Sequence, residues 1–121
     1  MNLVKRIDTV FVPVTDLKKS EAWYMEVFSF EEAVFRSSDG NYVGFRFEGH
    51  GEPKTALTLY KADEVPTLKH MAFNFYTEDV DALHTKLKET GVEVTEIHAG
   101  DGMRFFEFVD PDGNELGAVT F

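Results

Sequence analysis

Residues 7–28 read Ile7-Asp-Thr-Val-Phe-Val-Pro-Val-Thr-Asp-Leu-Lys-Lys-Ser-Glu-Ala-Trp-Tyr-Met-Glu-Val-Phe28, and two periods meet within them. Up to Val14 the period is two: Val10, Val12 and Val14 share one face, Thr9, Phe11 and Pro13 the other, which is a strand. Thr15 and Asp16 then offer N-cap side chains. Leu17, Tyr24 and Phe28 follow at helical spacing, with Trp23 and Val27 widening the apolar stripe. A strand therefore runs directly into a helix.

Working outward, three short strands are expected at about Glu32–Arg36, Tyr42–Phe47 and Thr55–Tyr60, separated by Ser37–Asn41 and Gly49–Pro53, both rich in turn formers. The order then repeats. Lys69–Tyr76 reads as a strand, and Thr77–Asp79 opens a helix with acidic residues at its positive end. Val80, Leu83 and Leu87 mark the buried stripe, and Gly91 suits the position just past the helix. Strands at about Val92–Ile97, Arg104–Val109 and Leu116–Phe121 complete the set, with turns at Gly100-Asp101-Gly102 and Asp110–Gly113. One βαβββ order is thus used twice, the copies roughly sixty residues apart. The expected fold is α+β: a single domain over 1–121, made of two tandem βαβββ modules at about 1–62 and 63–121. Its eight mainly antiparallel strands would form curled sheets shaped into a cup, with the two helices outside. Phe28, Phe30, Phe73, Phe75, Phe106 and Phe108 are expected to fill the helix–sheet layers. Phe105 and Phe106 are consecutive and must face opposite sides, which points one of them into the cup.

Composition narrows the function. A chain of 121 residues suits one domain. Without cysteine it can hold no disulfide, thiolate metal site or cysteine nucleophile, which fits the cytoplasm. Lys and Arg number 12 against 22 Asp and Glu, a formal charge of −10 that repels nucleic acid and anionic membranes and favours cationic ligands. There is no apolar run long enough for a membrane span and no apolar leader at the start. Gly-x-Ser-x-Gly, Gly-x-Gly-x-x-Gly, phosphate-loop and His-Glu-x-x-His motifs are all absent.

Three further stretches carry a resemblance. Phe11–Ser20 with Trp23-Tyr24 and Val27-Phe-Ser-Phe30 resembles the opening of the vicinal oxygen chelate proteins, the glyoxalase, bleomycin-resistance and extradiol-dioxygenase group. His70-Met-Ala-Phe73 leading into Glu78-Asp-Val-Asp-Ala-Leu83 is similar to the opening of their second module. Phe106-Glu-Phe-Val-Asp-Pro-Asp-Gly-Asn114 is similar to their closing strand–turn–strand. The resemblance covers nearly the whole chain, with the motifs in the family's order. One departure is Ser29, where relatives often carry Gly at the end of the first helix.

The resemblance also implies where a catalytic divalent metal would bind, since such ions need imidazole or carboxylate donors. The first-strand position falls on Thr9. The fourth-strand position lies within Thr55–Tyr60, where no such donor occurs in either parity. The second-module histidine is present as His70. The last position falls on Gly117, with Glu115 sharing its parity two residues earlier. Only His70 fills its place, so no metal site is assigned.

Alternation places Thr9 and Phe11, then Ala56, Thr58 and Tyr60, on common faces. It does the same for His70, Ala72 and Asn74, and for Phe105 and Glu107; in fosfomycin-resistance relatives the position of Glu107 faces the ligand. The expected ligand pocket is therefore Thr9, Phe11, Thr58, Tyr60, His70, Asn74, Phe105 and Glu107, a few polar groups on apolar walls. His84 is expected at the edge of its helix stripe, and His50 and His98 in solvent-exposed loops. Two functions stay open: a metal-free module that binds or sequesters a small molecule, or a metal-dependent lyase, isomerase or dioxygenase with a site rebuilt around His70 and Glu107. The resemblance implies a homodimer, with modules paired within one chain or swapped between two.

Overall fold

The structure, a computed structural model, describes residues 3, 4, 6–47, 54–68 and 70–121. It has two compact units, Met1–Glu64 and Val65–Phe121. In the first, β1 (Thr9–Val14) leads to α1 (Leu17–Phe28), then β2 (Phe35–Arg36), β3 (Tyr42–Arg46) and β4 (Ala56–Lys61). The strands lie in the order β1-β4-β3-β2. β1 runs parallel to β4, and the other pairs are antiparallel. The second unit repeats this with β5 (Asn74–Tyr76), α2 (Val80–Glu89), β6 (His98–Gly100), β7 (Met103–Val109) and β8 (Glu115–Thr120). Its order is β5-β8-β7-β6, again with one parallel pair, β5 with β8. The architecture is two mixed four-stranded sheets, each with its own helix and neither closed into a barrel.

Each helix starts where a side chain caps it. Asp16 accepts from the Lys19 amide at 3.1 Å, and Asp79 from the Ala82 amide at 3.0 Å. α1 turns Tyr24 and Val27 inward against β3 and β4, whose facing side chains include Val43, Phe45, Leu57 and Leu59. α2 turns Val80 and Leu87 toward β7 and β8, where Phe106, Phe108 and Leu116 are buried. Phe75 is buried too, whereas Phe28, Phe30 and Phe73 are half-buried. Helix ends differ: Gly91 follows α2 at φ 87°, as expected, but α1 ends on Ser29 at φ 58°, a left-handed residue without glycine's freedom. That costs something on the order of 1 kcal/mol.

Two strands depart from expectation. β6 is not Val92–Ile97 but His98–Gly100. Asp101 and Gly102 both have positive φ, 53° and 77°, the two-residue hairpin geometry that makes the flanking residues pair: Gly100 with Met103, Ala99 with Arg104, His98 with Phe105. Residues 98–100, expected to be loop, are therefore strand. The upstream stretch stays beside β7 without a regular ladder: the Thr95 amide donates to the Glu107 carbonyl at 2.9 Å, but the return bond goes to the Thr95 side chain. The Thr95 hydroxyl accepts from the Glu107 amide at 2.9 Å, and the Thr95 carbonyl accepts from His84 Nε2 at 2.8 Å. Only the single bridge Val94–Phe108 remains. The strand expected from Lys69 starts instead at Asn74; Lys69 and His50 lie outside the described residues.

Two surface ion pairs tie helix to sheet. Arg36 donates to both Glu21 oxygens at 2.6 and 2.7 Å, and Arg104 to both Asp81 oxygens at 2.7 and 2.9 Å. These hydrogen bonds hold both carboxyls below their ordinary pKa. A folded-state pKa below the unfolded one stabilises above the unfolded value, and that contribution is lost as pH falls through the lowered one. Arg36→Gln is thus expected to lower the melting temperature modestly at neutral pH. The difference from wild type should disappear once the medium is acidic enough to protonate Glu21. Melts across that range check this.

Candidate functional site

The face of the first sheet turned away from α1 is a concavity of about 790 Å³. Strand register builds it in rows. Phe35, Gly44, Thr58 and Phe11 lie across its middle, Tyr42 and Tyr60 to one side, and Arg46, Ala56 and Thr9 to the other. Phe11, on the edge strand β1, is 57% exposed, and its ring forms a wall. Its centroid lies 6.4 Å from both Tyr42 and Tyr60, edge-on to each, and the two tyrosines stack at 6.3 Å. Gly44 leaves the floor open: a Cβ there would stand 3.3 Å from Thr58 Oγ1 and 3.4 Å from Phe35 Cβ.

At the polar end, Thr9 Oγ1 lies 2.7 Å from Thr58 Oγ1 and 3.0 Å from the Ala56 carbonyl. A carbonyl can only accept, so both hydroxyl protons are used when Thr9 donates to Ala56 and Thr58 donates to Thr9. Asp8 also lines this end, with Arg6 Nη2 3.0 Å from its carboxylate.

The second sheet carries a smaller hollow of about 170 Å³, lined by Asn74 and Phe105 together with Met71 and Met103. Phe106 is buried behind the sheet and Phe105 is half-buried on this side, as their alternation requires. Glu107 is half-buried and pairs with Gly117, which pairs in turn with Asn74. His70 precedes the strand, so alternation does not govern where it points. It is exposed, with Nδ1 2.9 Å from the Met71 carbonyl, so Nδ1 carries the proton. Thr9, Phe11, Thr58 and Tyr60 thus come together in one concavity, and Asn74 and Phe105 in another. His70 and Glu107 are not among the residues lining either. His98 is exposed as expected, though on a strand. His84 is half-buried and stands edge-on to Phe106 at 5.0 Å, holding α2 to the Thr95 segment.

The donor set does not fit the divalent metal that the resemblance implies. Thr9 and Thr58 are neutral hydroxyls bonded to each other. The Gly117 position is covered by a thioether: a Cβ there would lie 2.6 Å from Met71 Sδ. Among the described residues, no three His, Asp or Glu side chains converge on a point.

Val34, Phe35, Tyr42, Gly44, Arg46 and Asp8 were not foreseen as lining residues. A signal for three of them was available. Val43 and Phe45 are apolar and inward, so Tyr42, Gly44 and Arg46 must face the other way.

Known proteins now place the chain. It matches an antibiotic-binding protein, TnmS3 of Streptomyces sp. CB03234, at 27% identity and a TM-score of 0.82, over 99% of this chain and 98% of that one. It shares its fold with a member of the glyoxalase/bleomycin resistance protein/dioxygenase superfamily from Sphaerobacter thermophilus (24% identity, TM-score 0.80, 99% and 100% covered). The same holds for the fosfomycin resistance protein FosX of Listeria monocytogenes (18% identity, TM-score 0.79, 98% and 95% covered). A comparison with curated proteins gives no match. The family model for the Glyoxalase/Bleomycin resistance protein/Dioxygenase superfamily matches residues 6–117. With nearly its whole length matched, the chain belongs to that superfamily.

Proposed function

We propose that this protein binds a small molecule without a metal ion, on the open face of its first sheet. The observation that carries the reading is the concavity itself: aromatic walls from Phe11, Tyr42 and Tyr60, a glycine floor, and a closed Thr9–Thr58 hydroxyl pair at the polar end. Apolar walls with a few polar groups suit an organic ligand of drug size. Likeness to an antibiotic-binding protein supports a binding role. Absence of cysteine supports a cytoplasmic setting, and the family resemblance supports a homodimer. No helix among the described residues is long and apolar enough to cross a membrane.

A neutral planar aromatic, 2-naphthamide, serves as probe. Chelator-treated protein is expected to bind it with an affinity that Mg, Mn, Ni or Zn leaves unchanged, measured by calorimetric titration. Binding that appears only with a metal, and is lost in His70→Ala or Glu107→Gln, would instead indicate a rebuilt metal centre and overturn the reading.

A further inference from the structure

We propose that the ligand held on the first sheet is an aromatic carboxylate, its anionic end received by Arg46; this rests on the binding reading above. Arg6, Arg36 and Arg104 each hold a carboxylate, at 3.0, 2.6 and 2.7 Å. Arg46 is the remaining arginine, and it alone has no carboxylate partner among the described residues, in a chain with 22 acids. It donates through Nη1 to the Lys54 carbonyl at 3.2 Å. A guanidinium has five N–H donors arranged as a fork that matches a carboxylate, so this one bond leaves most of them available.

Its position gives this meaning. Arg46 lines the concavity at the end away from the tyrosines. The other charged group there, Asp8, is offset by Arg6. Arg46 stands four residue steps along β3 from Tyr42, about 13 Å at the usual strand rise. Gly44 between them leaves the path clear. A molecule with a carboxylate at one end and a flat ring at the other spans that distance, with its ring against Phe11, Tyr42 and Tyr60. The sign is opposite to the one suggested by the net charge, because a contact ion pair is decided by the nearest group rather than by the distant, screened surface.

Three probes on one skeleton test this: naphthalene-2-carboxylate, its neutral amide, and the cationic naphthalen-2-ylmethylamine. The carboxylate is expected to bind roughly tenfold or more tighter than the amide, the scale of a charge-assisted hydrogen bond. Arg46→Gln should bring the ratio of carboxylate to amide affinity close to one, and Arg46→Lys should restore part of it. Equal binding of carboxylate and amide, or tighter binding of the amine, overturns the inference and leaves the binding reading standing. If no probe binds, both fall together.

Discussion

Gly44→Leu is expected to weaken 2-naphthamide binding roughly ten- to a hundredfold while the melting temperature barely changes. Gly44 sits in the middle row of the concavity, between Phe35 and Thr58, and its backbone has ordinary extended geometry rather than positive φ. A side chain there meets no backbone strain. Its Cβ would come 3.3 Å from the Thr58 hydroxyl and 3.4 Å from Phe35 Cβ, so these neighbours have to give by a few tenths of an ångström, a cost small beside the loss of ligand space. The rest of a leucine projects into the open face. A ligand would then have to displace it, and overpacking of about 1–3 kcal/mol corresponds to that fold-change. Calorimetric titration and a thermal melt of the same preparation separate the effects. Undiminished binding would move the site off this sheet.

The second large effect contrasts two phenylalanines of the first sheet, on the strands either side of β4. Phe45→Ala is expected to destabilise the protein by about 4 kcal/mol, within the usual range for truncating a buried aromatic. The Phe45 ring is 0% exposed and stacks on Phe30 at 4.8 Å and 8°, so its removal leaves a cavity between sheet and α1. Set against a total stability of about 5–15 kcal/mol, that is a large share. It should appear as a fall in melting temperature of about 15 °C. Phe11→Ala removes a ring of the same size and should cost about 1 kcal/mol or less, since most of that ring already faces solvent. Its loss should fall on probe binding instead. A large melting shift for Phe11→Ala would make that ring a core element and remove the aromatic wall from the site.

The fold was legible because its signals are local. Alternation over Ile7–Val14, the Asp16 and Asp79 caps and the Gly91 stop each state their element in a few residues, and the second half repeats the first. The β6 register was misjudged because two signals competed. Apolar alternation in Val92–Ile97 favoured a strand there, but the Asp101-Gly102 turn and the bonds made by Thr95 to His84 and Glu107 decided otherwise. Those partners are remote in sequence. In the candidate site, parity put Thr9, Phe11, Thr58 and Tyr60 on the concave face, and extending it to Tyr42, Gly44 and Arg46 needed only the inward Val43 and Phe45. His70 was placed by a parity argument that fails, because the strand begins four residues later at Asn74. The thioether over Gly117 has no sequence signature, since it depends on how Met71 folds back.

Amide chemical-shift mapping of chelator-treated protein titrated with 2-naphthamide tests the central claim most directly. The account predicts saturable shifts centred on Phe11, Phe35, Gly44 and Thr58, unaltered by added metal. Shifts centred on Asn74, Phe105, Glu107 and Gly117, or shifts that appear only once a divalent ion is present, would contradict it.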